Sequence, residues 1–150
     1  MICKSILIAE DNDDIRETLE EVLKMEGYRV HAVKNGREAL RALKQIEGPA
    51  LILLDLMMPV MNGWEVLEAQ RENNVIRPLP VVVVSAISAA MALKHKEKLV
   101  SAAGYLSKPV SLDSLLEIVR QHCGTGSDRL GFRALQSSVA DASDRTADSA

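Results

Sequence analysis

Aromatic side chains are scarce. One tryptophan, two tyrosines and one phenylalanine in 150 residues leave few platforms on which nucleobases or a flavin could stack. A positive field is missing as well: the formal net charge is -3 and the pI near 5.6, so direct nucleic-acid binding is not expected. No apolar run approaches the length of a membrane span, and only Lys4 and a short run at 6–9 precede the first acids, unlike a signal peptide. A cytoplasmic location without membrane insertion is therefore expected. The two cysteines, Cys3 and Cys123, fit neither a disulfide framework nor a metal motif. Both fall toward the amino end of the sheet inferred below, where a bridge is conceivable, but a reducing compartment favours free, inert thiols. His31, His95 and His122 lack metal-ligand spacing, and no internal repeat is present.

What is there is organised around an apolar run at 51–54, bounded upstream by Gly48 and Pro49 and ended by Asp55, with Pro59, Asn62 and Gly63 beyond. So short a run between turn residues reads as a strand covered on both faces. The run at 6–9 has the same form and also ends in acids, Glu10 and Asp11. The β-branched run at 81–84 ends at Ser85, a brief strand at 104–106 leads into Ser107, Lys108 and Pro109, and alternation at 28–33 predicts a strand with a more polar face.

Between these strands lie helical patterns. Apolar residues at Ile15, Leu19, Val22 and Leu23 predict a helix capped by Asp13 or Asp14 and stopped by Gly27. Ala39, Leu40, Leu43 and Ile46 predict a second, opened by Asn35 and Gly36 and ended at Gly48 and Pro49; Trp64, Val66, Leu67 and Ala69 predict a third that stops at Asn73 and Asn74. A weakly patterned helix is expected over 88–102, with a basic side of Lys94, His95, Lys96 and Lys98, and a last one from a Ser111 cap to Cys123. Five strand–helix alternations call for an α/β fold: a five-stranded parallel sheet, doubly wound and flavodoxin-like, with helices on both faces. Residues 1–123 are expected to form that domain and 124–150, rich in Ala, Ser, Asp and Arg, a flexible tail with at most one helical turn near Phe132.

In such sheets the working crevice lies beyond the carboxyl ends of the strands. Glu10, Asp11, Asp55, Ser85 and Lys108 all fall at that end. Three neighbouring carboxylates repel unless a divalent cation neutralises them; all-oxygen donors suit Mg²⁺, with Mn²⁺ tolerated. Lys108 would supply a point charge and Ser85 a hydroxyl to phosphoryl oxygens, leaving Asp55 as the nucleophile that forms an aspartyl-phosphate.

Taken together, Glu10 and Asp11, the run Asp55, Met58, Pro59 and Gly63, Ser85 with Ala86, and Lys108 with Pro109 resemble the receiver domain of two-component response regulators over roughly residues 4–123. The resemblance implies a single-domain regulator, not an enzyme in the ordinary sense, phosphorylated on Asp55 by a histidine kinase or histidine phosphotransfer protein. It implies Mg²⁺ held by Asp11, Asp55 and the backbone carbonyl of Met57, with Glu10 acting through water. It further implies Ser85 moving toward the phosphoryl group as Tyr105 turns inward, a cis peptide between Lys108 and Pro109, and output to an unidentified downstream protein through the last-but-one helix, the Tyr105 strand and the last helix. A monomer or weak dimer is expected.

Three positions depart from the family pattern. Met57 and Ile87, two residues after Asp55 and Ser85, are apolar where polar groups often orient the hydrolytic water, so a long-lived phosphoryl group is expected. Ser85 stands for the commoner threonine and keeps its hydroxyl. A phosphorylation-independent adaptor is the alternative reading. A phosphatase would want a carboxylate where Met57 stands, and a flavin protein a phosphate-cradling loop after the first strand.

Overall fold

The computed structural model describes residues 3–99 and 102–124. Five strands, β1 (Ser5–Ala9), β2 (Val30–Val33), β3 (Ala50–Leu54), β4 (Val81–Ser85) and β5 (Gly104–Ser107), pair in parallel in the order β2-β1-β3-β4-β5. Helices α1 (Asp13–Met25), α2 (Gly36–Leu43), α3 (Gly63–Arg71), α4 (Ala89–Lys94), α5 (Lys96–Leu99) and α6 (Leu112–Cys123) connect and follow them.

Side-chain alternation along the strands explains why both faces are covered. Ile6, Ile8, Leu51, Leu53, Val82 and Val84 face α1 and α6, where they meet Leu19, Leu23, Leu115 and Val119. Leu7, Ala9, Ile52, Leu54, Val81 and Val83 face the other way, onto Ala39, Leu43, Val66 and Leu67. Each fully buried Val, Leu or Ile among them contributes roughly 1.5–3 kcal/mol. The fold is thus the doubly wound sheet that the short apolar runs predicted.

Several local expectations are corrected. The side chain of Asn12, not of Asp13 or Asp14, caps α1 by accepting from Ile15 N–H. The second strand begins at Val30, not at residue 28, and α2 ends at Leu43 well before Gly48, while β5 runs to Ser107. The continuous helix expected over 88–102 is interrupted at His95, which leaves helical geometry (φ -108°, ψ 27°) between α4 and α5. The His95 ring packs on Trp64 with centroids 4.6 Å apart.

The clearest correction concerns sulfur. Cys3 and Cys123 form a disulfide and are not free thiols; an argument from redox compartment cannot anticipate that the sheet and α6 bring their Cα atoms to 4.5 Å. Of the tail expected over 124–150, only Gly124, which caps α6, is described; the rest, with the turn near Phe132, lies outside the described residues. No helix among the described residues is long and apolar enough to cross a membrane.

Candidate functional site

Register places the site. Ala9 pairs with Leu54 across β1 and β3, and Asp55 N–H donates to Ala9 C=O, so the residues that follow, Glu10 and Asp55, emerge side by side. Ser85 pairs with Ser107 across β4 and β5, and Lys108 N–H donates to Ser85 C=O. Lys108 Nζ lies 2.6 Å from Glu10 Oε1 and 3.3 Å from Asp55 Oδ2. The peptide between Lys108 and Pro109 is cis.

The two buried carboxylates have separate anchors. Glu10 Oε2 accepts from Asn12 N–H at 3.1 Å, while the Glu10 carbonyl accepts from Arg16 Nη1 at 3.0 Å and the other arginine nitrogen pairs with Asp13 at 2.6 Å. Asp55 Oδ1 accepts from Met57 N–H at 3.2 Å. Asp11 is exposed, whereas Glu10 and Asp55 are only 2% and 3% exposed. One carboxylate oxygen from each of Glu10, Asp11 and Asp55 lies within 4.8 Å of the other two.

Three carboxylates against one ammonium leave the cluster unbalanced. Burial pushes the Asp55 carboxyl up to about 6, with Glu10 adding to the rise and the Met57 N–H and Lys108 opposing it. Burial alone would lower Lys108, but its hydrogen bond and attraction to Glu10 and Asp55 prevail and raise it. Clustered carboxylate oxygens without thiolate or imidazole fit a hard divalent cation such as Mg²⁺.

Ser85 ends β4 fully buried, and its hydroxyl has no hydrogen-bond partner among the described residues. An unpaired buried hydroxyl costs roughly 1–3 kcal/mol, which makes it a donor awaiting an acceptor. Tyr105 is exposed on β5 and borders a cavity of about 310 Å³ with Ala92, Leu99 and Ala102. Met57 is 65% exposed and Ile87 half-buried.

Sequence reasoning missed the supports. Gly63 is required because a Cβ there would overlap the Asp55 carbonyl oxygen, and one at Gly36 would press on the Met61 carbonyl, which Gly36 N–H holds at 2.8 Å. Between them Val60 takes φ 69° and Met61 N–H bonds Pro59 C=O at 2.7 Å, a strained three-residue turn in the Asp55 loop. The two glycines were visible as turn residues, but no pattern in the sequence points to Val60 or to Arg16.

Comparison with known proteins agrees with this geometry. Residues 6–120 match the family model of the response regulator receiver domain. The chain is 31% identical over 124 residues to the polar-differentiation response regulator DivK of Brucella anthropi, covering 81% of this chain and 97% of that one. The chemotaxis response regulator CheY4 of Vibrio cholerae superimposes with a TM-score of 0.70 at 29% identity, over 81% of this chain and 98% of that one. The receiver domain of a sensor histidine kinase from Pseudomonas aeruginosa, with a magnesium ion coordinated in its active-site cleft, matches with a TM-score of 0.68 at 29% identity, covering 79% of this chain and 96% of that one.

Proposed function

From the premise that this chain belongs to the response regulator receiver domain family, we propose that it is a single-domain regulator that accepts a phosphoryl group on Asp55 from a phosphohistidine. The observation that carries this reading is the convergence of Asp55 with Glu10, Asp11 and Lys108 at the carboxyl end of the sheet. One Asp55 carboxylate oxygen forms the new bond to phosphorus as the bond from phosphorus to the histidine nitrogen breaks. Lys108, already within reach of Asp55, neutralises charge on the transferred oxygens, and the unpartnered Ser85 hydroxyl donates to one of them. Glu10, Asp11 and Asp55, with the Met57 carbonyl, would hold Mg²⁺; when bound, that cation supplies positive charge against the phosphoryl oxygens.

The acyl phosphate is long-lived, because neither the Met57 nor the Ile87 side chain can orient a water. Once Ser85 is drawn to the phosphoryl group, Tyr105 turns into the cavity it borders, and the face of α4, α5, β5 and α6 changes its affinity for a downstream protein. The donor is a histidine kinase or phosphotransfer protein, and both partners meet the chain in the cytoplasm.

Intact mass after incubation with acetyl phosphate tests the reading. A single phosphoryl adduct that requires Mg²⁺ and is absent from Asp55→Asn is expected, persisting for many minutes at neutral pH. Decay within seconds would refute the long lifetime. No adduct, with Mg²⁺ binding intact, would leave a phosphorylation-independent adaptor.

A further inference from the structure

The sulfur pair lies at the amino end of the sheet and takes no part in the acidic pocket. Cys3 immediately precedes β1 and Cys123 closes α6, so 120 positions of chain separate residues whose Cα atoms stand 4.5 Å apart, within the span of a disulfide. Noncovalent contacts hold the two chain segments there. Cys3 N–H donates to the His122 carbonyl at 3.2 Å, the Tyr28 hydroxyl donates to the Gly124 carbonyl, and Arg120 pairs with Glu26 at 3.4 Å. Both cysteines are buried among Ile6, Tyr28, Leu115 and Val119.

We propose that Cys3 and Cys123 are a thiol–disulfide modification site, written by a low-molecular-weight disulfide such as oxidised glutathione, that closes residues 3–123 into a covalent ring and leaves the phosphoryl-accepting pocket unaltered. One cysteine thiolate attacks a sulfur of oxidised glutathione and releases a glutathione thiol. The other then displaces the remaining glutathione from the mixed disulfide. The protein pair loses two electrons and two protons, and one oxidised glutathione becomes two thiols. Burial slows both directions: oxidised glutathione reaches the thiols, and a reducing thiolate the bridge, only when the α6 end opens, so the bridge once made is lost slowly where the bulk solution is reducing. Closing so long a loop restricts the unfolded chain, so the bridged form resists heat better than the dithiol.

The full chain, equilibrated with defined ratios of reduced and oxidised glutathione and quenched with maleimide in denaturant, tests this by intact mass and thermal melting. Under oxidising ratios the chain takes up no maleimide and melts about 10 °C above the reduced form. Dithiothreitol reduces the native bridge at least about tenfold more slowly than the same bridge in urea. Cys3→Ala and Cys123→Ala, made separately, melt near the reduced wild type at every glutathione ratio. Both redox forms take up phosphoryl from acetyl phosphate equally. Two maleimides on the oxidised chain, a lasting mixed disulfide, equal melting of the two forms, reduction as fast as in urea, or unequal phosphoryl uptake would each overturn the proposal.

Discussion

At the carboxyl end of the sheet, Glu10 and Asp55 are buried side by side and share one lysine. At the amino end, Cys3, Tyr28 and Cys123 close an apolar cluster with a disulfide and a tyrosine hydrogen bond. One end keeps like charges together and a hydroxyl unpaired; the other leaves little unsatisfied. The same five strands serve both, so the electrostatic cost of a responsive pocket is offset by a firmly fastened opposite end. A ligand that settles the charges at the first end has something to gain there, and none at the second.

The sharpest way to break this contrast is to remove the shared cation. Lys108→Met leaves Glu10 and Asp55 buried without a counter-charge, and urea denaturation in Mg²⁺-free buffer should show a loss of about 3 kcal/mol. Adding Glu10→Gln should recover most of it; a double variant no more stable than the single would assign the loss to packing of the lysine stem.

The opposite change should stabilise. Asp55→Asn removes a carboxylate whose ionised form the site disfavours, for a gain of about 1 kcal/mol at pH 7 once solvent screening is allowed for. The sign follows from the direction of the shift: the Asp55 carboxyl titrates near 6 in the folded chain against 3.8 ordinarily. The folded state therefore holds this proton more tightly, and its contribution, fully present below pH 3.8, is lost as pH rises through 6. Wild type should lose stability relative to Asp55→Asn across that window in denaturation at stepped pH, and Mg²⁺ should raise the melting temperature of wild type more than that of the variant.

Smaller effects test each end separately. Tyr28→Phe should cost about 1 kcal/mol through the lost bond to the Gly124 carbonyl, with no effect on the Mg²⁺ response. Val60→Gly should gain about 0.5 kcal/mol, because glycine accepts the positive φ that valine resists, less the entropy it adds to the unfolded chain. An unchanged or lowered midpoint in urea would show that the loop does not carry that strain.

The buried runs at 51–54 and 81–84 could be read because unbroken apolar residues between turn signals leave few options but a covered strand. Asp55, Glu10, Asp11 and Lys108 could be read for the complementary reason: ionisable residues directly after such strands must share the crevice beyond them. Local pattern failed where a tertiary contact decides. His95 interrupts an expected helix and packs on Trp64, and α2 stops at Leu43 although the apolar spacing continues to Ile46. Sequence alone does not single out Asn12 as the cap, because the adjacent Asp13 and Asp14 are equally good capping types. The inferred sheet already puts Cys3 and Cys123 at the same end, and it is the compartment argument, blind to how closely β1 and α6 meet, that favours free thiols where the structure has a bridge.

The contact between Trp64 and His95 has an optical consequence. Trp64 is the only tryptophan in the sequence, so all indole emission comes from one place, one residue beyond the loop that carries Asp55 and against the residue where α4 stops. A shift in either the loop or that helix end changes the environment of this one fluorophore. Intensity followed in a stopped-flow cell as Mg²⁺ or acetyl phosphate is added would then show whether a change at the acidic pocket reaches the α4 end, and how fast, on native protein carrying no attached dye.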